Sequence, residues 1–287
     1  MAIIELPNGV SLEYEAYGDP DDPLVMLIPG AGAPMGFWPN DVCENIAASG
    51  RLVVRYCHRD SGASTHFDEP YPIEALLDDL TALVKALSSE TAHLVGHSMG
   101  GYLAQLAMCA FPQKILSVVS ISAGSTVLDA YKAQLGISSP TEETWKLLME
   151  NNPQGDFEKD LDGWMGSWRL LNGALTFDEN AATEYTRLLY IGDHRNAEVA
   201  ANHIHAMSTV PDDLVLKLPV SECPVLVIHG THDPLVPFDN GESTAKLASN
   251  GELHPLDGAG HMFFNKVVWS EIQHAIVRHT TVRDVDR

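Results

Sequence analysis

The sequence predicts an α/β chain: a doubly wound, mostly parallel sheet interrupted by a helical insert. A continuous apolar run at 24–28 and strand patterns at 51–56, 91–95 and 115–121 alternate with helix-patterned segments at 40–48, 73–88 and 99–110. Continuous apolar runs of that length suit strands buried on both faces, as in a parallel sheet between two helix layers. The alternation stops near residue 125, gives way to helical patterns as far as 214, and resumes with a strand at 225–228. One sheet domain, 1–124 and 215–287, carrying an insert at 125–214 explains this order better than two domains in sequence.

The elements justify themselves in turn. Residues 2–6 and 11–17 alternate apolar and polar around Pro7-Asn8-Gly9, a hairpin signal. The run Leu24-Val25-Met26-Leu27-Ile28 ends in the small-residue loop Pro29-Gly30-Ala31-Gly32-Ala33. Ile73, Leu76, Leu77, Leu80, Leu83, Val84 and Leu87 recur at helical spacing. Within the insert, 141–151, 157–172, 179–190 and 195–208 read as amphipathic helices and hold Trp145, Trp164 and Trp168. A weaker strand at 252–256 and a helix at 266–279 follow, and the acidic tail past Thr280 is expected to fray.

Composition narrows the partners. With 45% hydrophobic and 20% charged residues over 287 positions, the chain can bury a substantial core. Its formal charge is −22, from 17 basic and 39 acidic residues, which repels nucleic acid and anionic membranes. The N-terminus lacks a basic region before an apolar run, and no stretch approaches a membrane span, so a soluble, cytoplasmic protein is expected. Cys43, Cys57, Cys109 and Cys223 are scattered with no C-x-x-C pair, so neither a disulfide framework nor a metal site is expected.

The chemistry centres on Leu94-Val95-Gly96-His97-Ser98-Met99-Gly100-Gly101. G-x-S-x-G between a strand and a helix is the nucleophile-elbow pattern, in which a tight turn lifts the serine hydroxyl clear of the sheet. A serine hydroxyl needs a histidine to take its proton, and that imidazole needs a carboxylate to hold its tautomer. Asp233 lies just past the strand 225–228, and His261 lies in the glycine-rich loop Asp257-Gly258-Ala259-Gly260-His261. The carboxyl ends of parallel strands are where such loops meet. Asp239 and Asp257 are the alternatives to Asp233. A tetrahedral intermediate needs two amide donors: Met99 supplies one, and Ala31, with Gly32 next, supplies the other. His97 is assigned to the pocket floor rather than to the base.

Other signals carry less. His58-Arg59-Asp60 spells a kinase triplet but has no phosphate loop or D-F-G beside it. His203-x-His205 puts two imidazoles on different faces of a helix, whereas a metal pair wants i,i+4 spacing. The glycines at 30–36 do not form G-x-G-x-x-G, so no dinucleotide cofactor is implied. Trp145, Trp164 and Trp168 either hold the insert together or line a pocket.

With these residues in place, the chain resembles the α/β-hydrolase family from end to end. The likeness rests on Pro29-Gly30-Ala31-Gly32, Gly96-His97-Ser98-Met99-Gly100, the Asp233 turn and Gly260-His261. Pro29 stands where many members have the histidine of an H-G pair. A narrower likeness, to the rhodomycin and aclacinomycin methylesterases, rests on two stretches. One is Tyr56-Cys57-His58-Arg59-Asp60-Ser61-Gly62-Ala63-Ser64-Thr65, with Ala63 in place of an arginine; the other is Trp168-Arg169 with Gly173 and Phe177-Asp178. The resemblance implies an α/β-hydrolase fold with a helical lid, and a serine carboxylesterase acting on a small-molecule ester without a cofactor. Ser98, His261 and Asp233 would form the triad, Ala31 and Met99 the oxyanion hole, and Gly32, His97, Trp164 and Trp168 the substrate contacts. The same elbow serves carbon-carbon bond hydrolases, and a catalytically idle binding protein is the third class.

Overall fold

A computed structural model describes every residue of the chain except 88–89, 126–128, 152, 192–195 and 282–287. The N-terminal hairpin pairs β1 (Ala2–Glu5) with β2 (Ser11–Tyr17), and Gly9 in its turn takes φ +81°. There follow β3 (Leu24–Ile28), α1 (Asn40–Ala47), β4 (Leu52–Tyr56), α2 (Ile73–Ala86), β5 (Ala92–His97), α3 (Met99–Ala110) and β6 (Ile115–Ile121). Every residue of β3, β4 and β5 is buried, which is why β3 reads as an unbroken apolar run and the other two are mostly apolar, with Arg55 and His93 the buried exceptions inside them.

Between β6 and the next strand come α4 (Asp129–Lys132), α5 (Glu142–Glu150), α6 (Phe157–Leu171), α7 (Glu179–Leu188), α8 (Asn196–Ser208) and α9 (Asp212–Val215). No described residue of this stretch joins the main sheet. Three of these helices start on capping side chains: Thr141 accepts from the Thr144 amide, Asp156 from Lys159 and Asp178 from Ala181. The chain then returns to the sheet as β7 (Val225–Gly230), α10 (Phe238–Leu247), β8 (Gly251–Leu256) and α11 (Trp269–Thr281).

The strand order is β1-β2-β4-β3-β5-β6-β7-β8, with β1 and β2 antiparallel and all pairs from β4 to β8 parallel. Side-chain alternation divides the interior between the two faces. Leu24, Met26 and Ile28 of β3 join a core with α2 and α3, while Val25 and Leu27 join one with α1 and α11. From β3 the chain crosses first to β4 on one side and then to β5 on the other. The crevice beyond the carboxyl ends of β3 and β5 is therefore the topological switch point, where open α/β sheets bind ligands. The loop 29–33 and Ser98 both lie there.

Candidate active site

Ser98 occupies the turn between β5 and α3 with φ 54° and ψ −121°, a strained conformation for a residue with a side chain. Its amide donates to the Ile121 carbonyl at 2.8 Å, tying the turn to the neighbouring strand. The flanking glycines are sterically required. A Cβ on Gly96 would overlap the Gly100 carbonyl, and one on Gly100 would overlap the Ile28 and Pro29 carbonyls. The hydroxyl is left half-buried at the N-terminal end of α3, a twelve-residue helix.

His261 reaches Ser98 from the loop after β8. Its Nε2 lies 3.1 Å from Ser98 Oγ, and its Nδ1 lies 2.8 Å from Asp233 Oδ2. Asp233 sits in the turn after β7 with its side chain fully buried. Its other oxygen, Oδ1, accepts the amides of Leu235 at 2.9 Å and Val236 at 2.8 Å. The carboxylate is therefore aimed before the imidazole arrives, and Nδ1 of His261 is the protonated nitrogen facing it. His229, also buried, donates through Nε2 to the Val236 carbonyl at 2.8 Å and stands 3.6 Å from Asp233 Oδ2. Of the alternative acids, Asp239 accepts the Ser138 amide and Asp257 is exposed; His261 bonds to neither.

The His261 loop is held from the insert. The Asn172 and Leu171 carbonyls at the end of α6 accept the amides of Gly260 at 3.2 Å and Met262 at 3.1 Å. Gly173 pairs across with Ala259, and a Cβ on Gly260 would overlap the Leu171 carbonyl. The glycine spacing before His261 thus serves a close backbone passage.

The loop 29–33 follows β3. A bond of 3.2 Å from the Ala33 amide to the Gly30 carbonyl closes its turn, and Gly32 takes φ +67°. His58 donates from Nε2 to the Pro29 carbonyl at 3.1 Å, and the Gly32 amide donates to Nδ1 of His203 at 3.0 Å. The Gly32 N–H is thereby committed within the protein. Met99 opens α3, so its amide has no carbonyl partner within the helix.

His97 lies behind the site rather than in its opening. It is buried, donates through Nε2 to the His261 carbonyl at 2.8 Å, and stacks on Phe37 at 4.5 Å. Burial, followed by the neighbouring His261, holds its pKa well below the ordinary imidazole value. Trp164 and Trp168 stack on each other at 5.0 Å, and their indole N–H groups go to Tyr190 and to Thr186. Trp168 is buried against Tyr185 and Phe264 and so packs α6 against α7 and the segment after β8. A cavity of about 700 Å³ lies between the 34–41 segment, α7 and Trp269, and neither Ser98 nor His261 lines it.

Reading by residue type missed His58, His203 and Asn172, each of which holds a loop of the site. His58-Arg59-Asp60 is a structural hub: Arg59 forms a buried ion pair with Asp79 at 2.7 Å, and Asp60 accepts from the Phe67 amide and the Tyr71 hydroxyl. His203 is buried whereas His205 is exposed, in keeping with their different helix faces. All four cysteines are free thiols. Among the described residues no helix is long and apolar enough to cross a membrane.

The doubly wound sheet, the strained serine after β5 and the loops after β7 and β8 define a hydrolase of the α/β class. The chain belongs to the alpha/beta hydrolase family, whose family model matches residues 23–265. Among known proteins it is similar to the rhodomycin D methylesterase DauP of Streptomyces sp. (strain C5), at 29% identity over 96% of this chain and 97% of that one. It is also similar to the 2-hydroxy-6-oxononadienedioate/2-hydroxy-6-oxononatrienedioate hydrolase of Paraburkholderia xenovorans, at 27% identity over 93% of this chain and 87% of that one. A hydrolase from Pseudomonas aeruginosa shares the fold with a TM-score of 0.73 at 24% identity, covering 97% of each chain.

Proposed function

We propose that this protein is a serine carboxylesterase acting on the ester of a small alcohol, methanol above all. The supporting observation is the unbroken relay Ser98 Oγ–His261 Nε2, 3.1 Å, and His261 Nδ1–Asp233 Oδ2, 2.8 Å. His261 takes the serine proton as Oγ attacks the ester carbonyl, and Asp233 stabilises the imidazolium that results. The amides of Met99 and Ala31 receive the oxyanion, helped by the positive end of α3; Ala31 is preferred because the Gly32 amide is held by His203. Collapse expels the alcohol, which leaves with the proton from His261. Water then attacks the acyl-enzyme, His261 takes its proton, and the acid leaves as Ser98 recovers its hydrogen. The insert 125–214 acts as a lid over this site. Likeness to rhodomycin D methylesterases supports the methyl ester as the substrate class.

The second reading, hydrolysis of a carbon-carbon bond in a vinylogous diketone, uses the same three residues and is favoured by the Paraburkholderia relative. A panel of p-nitrophenyl esters, a bulky aromatic methyl ester and a vinylogous diketone, run with Ser98→Ala alongside, decides between them. Ser98-dependent turnover of the esters is expected. Preferential turnover of the diketone would transfer the assignment, and an active Ser98→Ala protein would end both readings.

A further inference from the structure

The insert reaches the loop that carries the second oxyanion amide through one side chain. His203, on α8, is fully buried, and both of its ring nitrogens are bonded to backbone distant in sequence. Nδ1 receives the Gly32 amide at 3.0 Å, and Nε2 faces the Arg59 carbonyl at 3.0 Å. An amide can only donate and a carbonyl can only accept, so the ring must be neutral with its proton on Nε2. Burial also pushes its pKa down, which keeps that form populated.

His203 does not act alone on this loop. His58 holds the Pro29 carbonyl from the other end, and the two rings meet edge to face at 5.4 Å. Gly30 and Ala31 are suspended between two imidazole anchors, one from the sheet domain and one from the insert. The residue beside His203, Asn202, donates to Asp60 Oδ2 and to the Phe67 carbonyl, each at 3.2 Å, and fixes the helix against the 58–67 loop. Thr209, just past α8, accepts the Ile73 amide at 2.9 Å at the start of α2.

We propose that His203 is a positioning residue through which the insert sets the oxyanion loop, so that the loop is correctly posed only while α8 is docked. The proposal rests on the esterase reading for the role of Ala31. The Ala31–Gly32 peptide plane includes the Gly32 N–H, and the bond to His203 fixes its orientation. Loss of that acceptor frees the plane and displaces the neighbouring Ala31 amide from the oxyanion. Such a displacement weakens binding of the transition state more than binding of the substrate.

The test compares wild type, His203→Phe, His203→Gln and Thr209→Val. The phenyl ring keeps the shape without the acceptor, the glutamine amide restores an acceptor and a donor, and Thr209→Val loosens the docking of α8 without touching His203. Readouts are kcat and KM on p-nitrophenyl butyrate, the rate of Ser98 phosphonylation by a fluorophosphonate, and Tm. His203→Phe is expected to lower kcat about 10- to 100-fold with little change in KM, and to slow phosphonylation in parallel, given that losing an oxyanion donor outright costs about 10²–10³. His203→Gln is expected to recover part of both. Thr209→Val, which weakens the docking but keeps the acceptor, is expected to lose less than His203→Phe. A folded His203→Phe with wild-type kcat and phosphonylation rate would overturn the proposal, as would a His203→Gln that recovers neither.

Hydrogen exchange of the Gly32 amide in the wild type answers the case in which His203→Phe does not fold: protection supports the bond, and fast exchange overturns it. A wild type that is phosphonylated but inert to esters refutes the ester reading alone, and the His203 comparison is then judged on phosphonylation. A wild type that is not phosphonylated overturns the serine nucleophile and this proposal together.

Discussion

The imidazole of His97 donates through Nε2 to the backbone carbonyl of His261 at 2.8 Å, so the residue before the candidate nucleophile holds the candidate base in place. Its ring also fills the space between Phe37 and His261, with centroids 4.5 Å and 4.9 Å away. His97→Phe keeps most of that volume and leaves the His261 carbonyl unpaired, at a cost of about 1–3 kcal/mol. Steady-state kinetics should show kcat reduced by about tenfold with KM nearly constant. A kcat equal to wild type would remove His97 from the positioning of His261.

The strain at Ser98 separates stability from activity. Ser98→Ala should lose at least about 10³-fold in turnover, since the nucleophile is gone. Ser98→Gly should be equally inactive but more stable than Ser98→Ala, because glycine tolerates φ 54° without a Cβ. Strain of this kind is worth about 1–3 kcal/mol, which urea denaturation midpoints of the two variants will resolve. Equal midpoints would mean that the turn relaxes around alanine.

Two aspartates near β7 should respond differently to the same change. Asp233→Asn alters the group that faces His261 Nδ1 and accepts two backbone amides, so the imidazole is left to choose its tautomer. Losses of about 10³- to 10⁴-fold in kcat are expected from this disturbance. Asp239→Asn changes the acceptor of the Ser138 amide and of the Asn240 side-chain amide, neither of which reaches His261, and should stay within about threefold of wild type. Kinetics on both proteins check the ranking, and the reverse order would move the acid to Asp239.

Buried imidazoles predict a direction for acid sensitivity. Burial, with the nearby His203 adding to it, pushes the His58 pKa down to about 3 from its ordinary 6.5. Between these values the unfolded chain binds a proton at this position that the folded chain does not. Folding stability is therefore whole above pH 6.5 and declines as the pH falls from there toward 3. His58→Gln, which retains an N–H for the Pro29 carbonyl, should show a shallower decline when unfolding free energy is followed from pH 7 to pH 4. An unchanged slope would place the acid sensitivity elsewhere.

Much of this molecule is legible in its sequence because buried parallel strands are written as mostly apolar runs. β3 is the unbroken case, β4 carries Arg55 and β6 carries Ser117 and Ser120 within otherwise apolar strands, and the amphipathic stripe of 73–88 marks α2. α10 was not legible: its buried positions are Asn240, Gly241 and Thr244, so no apolar stripe announces it. The break in alternation near residue 125 is where the helices α4 to α9 begin, none of whose described residues joins the sheet. By sequence Trp168 is either wall or packing, and its contacts with Tyr185 and Phe264 are visible only in the tertiary structure.

By itself the sequence determined the class of fold, the position of the strained serine, and the candidate acid and base in their loops, because strand periodicity and glycine spacing are local properties of a chain. Only the tertiary structure decided how those loops are held. His203 meets Gly32 across 171 residues, His97 meets His261 across 164, and Asn172 accepts Gly260 from the insert. A hydrogen bond between distant segments depends on how the intervening elements pack, and a single histidine in a helix carries no local mark of the backbone amide it will meet.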